Sequence, residues 1–265
     1  MTKELSKLVS QLNDPLIQST SVLHWGSPIP SFGSIEKSRV ATLGLNPSNR
    51  EFVDVKGDEL SGAVRRFHSL GSLKIKNWKD ADAKHLRLIL EFSENYFIRN
   101  PYDNWFKKLD YLIAGTNASY YFPTLGACHL DLIPYATSKK WSDISTRERN
   151  LLLKLSKHSL GCLLKDSSID LLVLNGQTVV ENFERISSIK LEKRKMPSWG
   201  LPRKSGSVAG YSFVGEASSI SGKKLRRPVL ILGYNHNVQS SFGVTSKVLK
   251  AMRDWITETY IKHKL

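Results

Sequence analysis

The chain contains little cysteine and no long apolar segment. Its two cysteines, Cys128 and Cys162, lie far apart without a CxxC pair, which argues against a zinc site, an iron–sulfur site or a disulfide framework. The longest apolar runs are short, as in the IDLLVL stretch at 169–174, whereas a membrane span needs about 20 residues. The N-terminal MTKELSKLVSQL lacks the apolar core and cleavage site of a secretory signal. We therefore expect a cytoplasmic protein without membrane contact.

Acidic residues are also scarce. The 265 residues include 39 Lys and Arg against 24 Asp and Glu, which gives a net charge of +15. This excess is larger than solubility requires and predicts a polyanionic partner, with nucleic acid as the first candidate, although a protein can be basic without one. From Arg185 to Arg227 there are eleven Lys or Arg and two acids, Glu192 and Glu216. Prolines and glycines in this region exclude a long membrane-surface helix.

The common nucleotide-binding and hydrolase motifs, GxGxxG, GxxxxGKS/T and GxSxG, are missing as well. Short apolar runs alternate instead with long helical patterns, which is typical of a parallel α/β sheet. The strands are predicted at 40–45, 128–133, 169–174 and 228–234, with a further edge strand around Phe213. The helices are predicted at 80–97, 102–114, 146–164 and 243–261, and from about Thr178.

The predicted fold is an α/β three-layer αβα sandwich around a central, mostly parallel four-stranded sheet. Residues 1–265 are expected to form a single domain, with insertions around 54–80 and 187–227 and linkers at 115–126 and 190–207. Ligands of open α/β sheets bind outside the carboxyl ends of the parallel strands. Polar residues that follow the four strands are therefore expected to meet in one cleft, unless they are ordinary turn residues. They are Asn46, Asp131, Gly176 and His236.

Two of these strand ends carry recognisable motifs. The stretch GLNPS at 44–48, together with His236 after the last strand, resembles the two active-site motifs of the uracil-DNA glycosylase superfamily. DLIP at 131–134 stands where that family has a strand-end Asn that reads the base, and NGQ at 175–177 is similar to its phosphate-binding turn. The resemblance covers about 40–243. It implies a monomeric, cofactor-free DNA glycosylase that acts on double- or single-stranded DNA.

The resemblance assigns the catalytic work to Asn46 and His236. Hydrolysis of an N-glycosidic bond needs a group that directs water and a group that stabilises the departing base. Asn46 would orient the water, although an amide is a poor general base. Glu51 and Asp54 either assist it or are solvated loop acids. His236 would donate a hydrogen bond to the base oxygen, but the Pro-Ser that follows this His in the family is replaced here by Asn-Val.

The same resemblance implies contacts with the DNA around the flipped nucleotide. Val238 or Gln239 would fill the gap that the nucleotide leaves. The amides at the start of the helix after the third strand would face a phosphate, unless they only begin the helix. The basic region would hold the backbone. The residues assigned to DNA binding are Gly176, Gln177, Thr178, Val238, Gln239, Arg203 and Lys204.

Base choice is expected to depend on Asp131, Ser48 and Phe52. An ionised carboxylate only accepts hydrogen bonds, so Asp131 matches the N4 amino group of cytosine better than uracil; alternatively it caps a turn. Ser48 stands where uracil-specific relatives have a bulky tyrosine and leaves room for a 5-substituent. Phe52 either stacks on the flipped base or belongs to the core. These features resemble the anti-phage branch that excises glucosylated hydroxymethylcytosine.

Two other functions remain open at this point. A repair glycosylase for uracil or oxidised pyrimidines would use the same fold and the same Asn46. A catalytically silent module that binds damaged or phage DNA would use only the basic surface. No metal site and no lysine nucleophile are predicted, so we expect an abasic site as the product rather than a cleaved strand.

Overall fold

The computed structural model describes residues 1–203, 206–239 and 243–265. Its centre is a six-stranded mixed sheet with the strand order β2-β1-β3-β6-β5-β4. The strands are β1 (Val40–Gly44), β2 (Ala127–Asp131), β3 (Leu171–Asn175), β4 (Glu192–Arg203), β5 (Gly206–Ile220) and β6 (Lys223–Tyr234). β2, β1, β3 and β6 run parallel to one another, whereas β5 and β4 continue the sheet in antiparallel fashion. The predicted α/β class is confirmed, but the sheet has six strands rather than four.

The two additional strands, β4 and β5, lie in the region that was predicted to be an insertion with a loop at 190–207 and one further strand around Phe213. The prolines and glycines of 190–207 indicated a loop, yet β4 occupies most of that range. β4 is the outermost strand and its register shifts between Met196 and Leu201. Edge strands and bulges tolerate proline, because an outward-facing amide needs no partner. Phe213 lies in β5, which has a neighbour on each side, so it does not belong to an edge strand.

Helices cover both faces of the sheet. They are α1 (Thr2–Gln11), α2 (Pro15–Gln18), α3 (Leu70–Leu73), α4 (Ala83–Glu94), α5 (Asp103–Ile113), α6 (Thr146–Ser156), α7 (Ser159–Leu164), α8 (Gln177–Ser187) and α9 (Ser246–Lys264). Alternate strand residues point to opposite faces. Accordingly, Leu172 of β3 packs in one apolar core, with α1, α4 and α6 to α8, while Val173 packs in a second core with α5 and α9.

The predicted helices are present with altered boundaries. The segment 146–164 forms α6 and α7 instead of one helix, and 80–97 is shortened to α4 with short 3-10 turns on either side. The amphipathic α1 was not predicted. Within the described ranges, no helix is both long enough and apolar enough to span a membrane.

Candidate active site

A small pocket opens where β1 and β2 end. Its volume is about 70 Å³, which is room for about five to seven waters at roughly 10–15 Å³ each. Aromatic rings form much of the wall, and polar side chains line the rest. The lining residues are Phe32, Asn46, Pro47, Ser48, Glu51, Tyr102, Trp105, Phe106, His129 and Asp131. The predicted residues Asn46, Ser48 and Asp131 therefore do come together.

Asp131 reaches the pocket because its neighbour in the sheet is a glycine. Gly44 and Asp131 are register partners at the ends of β1 and β2. A Cβ atom on Gly44 would lie 2.4 Å from Oδ1 of Asp131 and 3.0 Å from Nε2 of His129. Only glycine permits this approach. The Asp131 carboxylate is consequently buried, with 6% of the residue exposed, and is held against the pocket wall.

The amide of Asn46 is oriented by its hydrogen bonds. Its Nδ2 donates to Oγ1 of Thr137 over 2.9 Å and to the carbonyl oxygen of Pro47 over 3.0 Å. The Thr137 hydroxyl donates its own proton to the carbonyl oxygen of Lys139, so towards Asn46 it can only accept. These bonds fix which end of the amide is nitrogen. Oδ1 is left as the acceptor that Asn46 offers to a ligand or water.

Glu51 is a pocket residue to which the sequence interpretation gave little weight. Ser48 caps the 3-10 turn at Asn49–Glu51 by accepting from the Arg50 amide. Glu51 is only 3% exposed and lines the pocket. Burial raises the pKa of its carboxyl to about 7, against the lowering effect of a hydrogen bond from Tyr96. The S-x-x-E spacing of 48–51 is that of a capping box and by itself carries no signal of a pocket.

Asp54 behaves as the alternative interpretation expected. Its Oδ1 accepts hydrogen bonds from the backbone amides of Lys56 and Asp58. It therefore stabilises a turn at the start of the 54–80 segment and does not line the pocket.

His129 also lines the pocket, although it lies inside a strand and gave no sequence signal. Its Nδ1 is 2.6 Å from Oγ1 of Thr42, and the same oxygen bonds the hydroxyl of Tyr120. Tyr120 is fully buried, so leaving its hydroxyl proton unpaired would be costly. Donation from Tyr120 to Thr42 and from Thr42 to Nδ1 satisfies every group. This arrangement favours the tautomer with the proton on Nε2, which lies 3.5 Å from Oδ1 of Asp131.

His236 lies outside this pocket, contrary to the predicted cleft. β3 separates β6 from β1 in the sheet, and the side chain that follows β6 is 3% exposed. Burial lowers the pKa of His236, which favours the neutral ring. Its Nε2 is 2.8 Å from the carbonyl oxygen of Trp199 and must carry the proton. A neutral ring in this arrangement has no further proton to donate to a base, which contradicts the predicted role.

The structure also places Phe52 elsewhere than the stacking hypothesis expected. Phe52 is buried in the core and packs edge-on against Trp25 and next to Phe67. It does not line the pocket, so the alternative interpretation as a core residue fits its position. The rings that do face the pocket include Trp105 and Phe32.

The two wedge candidates are held in place by the fold. Val238 is 1% exposed and belongs to the core around α5 and α9. Gln239 accepts from Nδ2 of Asn175 over 2.8 Å and donates to the carbonyl oxygen of Trp105 over 3.3 Å. It therefore links the end of β3 to α5. Neither side chain projects as a wedge requires, which corrects the prediction.

The turn before α8 is also more fully bonded than predicted. Gly176 adopts a φ of 97°, in the region that favours glycine. Its amide donates to the carbonyl oxygen of Tyr234, and the amide of Gln177 donates to that of Asn235. Two of the three amides assigned to a phosphate are therefore already paired, and Thr178 is left as the exposed member of the turn.

The basic residues of 185–227 are divided between the two opposite ends of the strands. Lys193 and Lys195 lie on β4, level with the last residues of β6. Residues 223–227 lie at the other end, where the parallel strands begin, because they precede Leu230, which pairs with the first residue of β3, Leu171. Arg203 ends β4, and Lys204 lies outside the described residues. Lys193 and Lys195 therefore share the carboxyl end of the sheet with the pocket, but β4 is separated from β1 by three strands and no described residue of 185–227 lines the pocket, so the prediction that the basic region holds DNA beside the site is not supported by its position.

In the described part of the chain, no group of three or more His, Cys, Asp or Glu side chains is arranged to hold a metal ion. A comparison with protein-family models found no matching family, and a comparison with curated proteins found no matching relative.

Proposed function

We propose that this protein is a monofunctional DNA glycosylase with a fold like that of the uracil-DNA glycosylase superfamily. It flips a modified base out of DNA, hydrolyses the N-glycosidic bond and leaves an abasic site. One observation carries the proposal. The small pocket at the ends of β1 and β2 combines an oriented amide oxygen, a buried carboxylate and aromatic walls, which suits a single flipped base.

Each pocket group has a task in this reaction. Cleavage develops positive charge on the sugar and negative charge on the departing base. Oδ1 of Asn46 accepts from the attacking water and aligns it with the sugar carbon. His129 lines the pocket with its Nε2 beside Asp131, and the Nε2 proton stabilises the charge that develops on the base. His129 thereby takes the role that the sequence resemblance assigned to His236.

The excised base is a cytosine that carries a 5-substituent. The Asp131 carboxylate accepts a hydrogen bond from N4 of cytosine, whereas O4 of uracil would face it with an unfavourable pair of acceptors. Ser48 is exposed at the rim of the pocket and leaves space for a substituent to extend outwards. Glucosylated hydroxymethylcytosine in bacteriophage DNA has this chemistry, so the biological role is antiviral defence.

The decisive experiment measures base release. Purified protein is incubated with DNA containing cytosine, uracil, hydroxymethylcytosine or glucosylated hydroxymethylcytosine, and released bases are identified by mass spectrometry. We expect release of the glucosylated base and alkali-labile abasic sites. Asn46→Ala should lose at least about 100-fold in rate while DNA binding is retained. A folded, DNA-bound protein that releases no base would refute the proposal, and a biological activity unaffected by Asn46→Ala would indicate a binding module.

Base choice is tested separately with Asp131→Asn. An amide can donate to O4 of uracil, so the ratio of rates for uracil and cytosine-type DNA should move towards uracil by about 5- to 150-fold, equivalent to about 1–3 kcal/mol. Asp166→Asn is the matched control, because that carboxylate is 86% exposed and does not line the pocket. An unchanged ratio in Asp131→Asn would show that Asp131 does not contact the base.

A further inference from the structure

We infer that Glu51 is the general base of this hydrolysis, accepting through Oε1 the proton of the water that Asn46 orients. The assignment rests on the proposed glycosylase function and supplies what an amide cannot. Asn46 can hold water but hardly deprotonates it, and Asp131 is engaged with the base. Glu51 is the remaining carboxylate among the residues that line the pocket.

The geometry leaves one oxygen of Glu51 for this task. The hydroxyl of Tyr96 accepts from the backbone amide of Tyr102 over 2.9 Å, so its own proton points to Oε2 of Glu51, 2.8 Å away. No hydrogen bond to Oε1 is formed by the described residues, and Oε1 is not among the buried polar atoms that lack a partner. Oε1 is therefore the oxygen that this pocket-lining side chain keeps as an acceptor for water. Tyr96 itself is fixed by stacking on Phe67.

The surroundings of Glu51 place the pKa of its carboxyl near neutral pH. Burial is the largest influence and raises its pKa, and the negative charge of Asp131 on β2 adds to this effect. The hydrogen bond from Tyr96 and the positive charge of Arg66, in the 54–80 segment, act in the opposite direction. His129 also lines this wall of the pocket. The resulting pKa of about 7 is close to the optimum for a general base at neutral pH.

The proton and electron balance is simple. The water oxygen forms a bond to C1′ of the sugar as the bond from C1′ to N1 of the base breaks, and the bonding pair leaves with N1. One water proton goes to Oε1 of Glu51. The departing base then recovers that proton at N1, which restores the carboxylate. The products are a C1′ hydroxyl on the DNA and the neutral free base.

A buried acid could instead serve only to hold Tyr96. Glu51→Gln distinguishes the two roles, because the glutamine amide oxygen still accepts from Tyr96 but the side chain cannot take a proton from water. Single-turnover base release is measured from pH 5 to 9. For the wild-type protein we expect a tenfold rise in rate per pH unit below about 7, the pKa of Glu51, and a plateau above it. Glu51→Gln should lose about 100-fold or more on the plateau and show no rise.

Two further variants complete the test. Asp54→Asn is the matched control from the adjacent turn and should keep the wild-type rate and pH profile. Tyr96→Phe retains Glu51 but removes a hydrogen bond that lowers its pKa, so the inflection should move to higher pH. This second measurement tests the inference even if Glu51→Gln fails to fold.

The failures of the two proposals look different. A wild-type enzyme that releases base, combined with a Glu51→Gln variant of equal rate and pH profile, would overturn the role of Glu51 and leave the glycosylase proposal standing. An inflection that does not move in Tyr96→Phe would also overturn that role. If the wild-type protein releases no base from any of the four DNAs, the glycosylase function itself fails, and the role of Glu51 with it.

Discussion

Replacing Gly44 with alanine places a methyl group where the pocket carboxylate lies. The new Cβ would be 2.4 Å from Oδ1 of Asp131, whereas unstrained contacts are about 3.5–4.0 Å. The carboxylate therefore has to move by about 1 Å. Since Oδ1 is the far end of a rotatable side chain, the free energy of unfolding should fall by only about 1–2 kcal/mol, at the lower end of overpacking costs.

The loss of function should exceed the loss of stability. In the proposed mechanism a displaced Asp131 no longer meets N4 of the base, so release of the modified cytosine should slow by about 5- to 150-fold, equivalent to about 1–3 kcal/mol. Urea denaturation measures the loss of stability, and single-turnover base release measures the loss of function. Gly126→Ala is the control, because it adds a methyl group just before β2, the strand that ends in Asp131, at a position where the nearest atom is 3.9 Å away.

A double-mutant cycle isolates the steric cause. In an Asp131→Ala background the obstructing oxygen is gone, so Gly44→Ala should lose most of its effect on stability, which gives a coupling of about 1 kcal/mol between the two positions. An equal cost in both backgrounds would show that the reasoning about this contact is wrong.

Three further predictions concern stability and the pocket. The folded state raises the pKa of Glu51 to about 7, so it binds the carboxyl proton more tightly than the unfolded state does. The free energy of unfolding of the wild type, relative to that of Glu51→Gln, should therefore fall by about 3 kcal/mol as the pH rises from 4.5 to 7. Urea denaturation measures this difference, and a difference that stays constant with pH would contradict the prediction. Thr42→Val should lower the free energy of unfolding by about 1–3 kcal/mol, because it leaves the buried Tyr120 hydroxyl unpaired, and it should also slow base release. If neither value changes, the proton arrangement at His129 is wrong. Val238→Ala should cost about 2 kcal/mol in chemical denaturation without slowing base release, whereas a large loss of release at normal stability would restore the wedge hypothesis.

The parallel part of the sheet could be predicted because its strands are short, apolar and bounded by clear turns. A strand around Phe213 was predicted, but β4 was not, since Pro197 and Pro202 are tolerated in a strand that has a single neighbour, and this is a property of the assembled sheet. The split between α6 and α7 had no comparable signal, because the leucine pattern continues across 157–158.

The pocket was predictable to the extent that it depends on strand ends. Asn46 lies two residues after the end of β1, and Asp131 is the last residue of β2. The two strands are adjacent and parallel, so topology alone brings these residues together. Glu51 was named only as one of two alternatives and His129 was missed, because their surroundings depend on Tyr96 and Tyr120, which lie far away in the sequence. Conversely, His236 has an attractive position after β6, but its ring is paired with a carbonyl oxygen of β4, a strand that was not predicted.

The hydroxyl of Tyr96 serves two parts of the molecule at once. It holds the carboxylate of Glu51 and accepts the amide of Tyr102 immediately before α5. A substitution at this position therefore changes the acid of the pocket and the anchoring of a core helix in a single step. Because both parts depend on one hydroxyl, few substitutions at position 96 can be tolerated without a compensating change. In homologous chains we expect positions 51 and 96 to covary, whereas residues on the pocket rim such as Ser48 are free to diverge and to adapt the protein to new substrates.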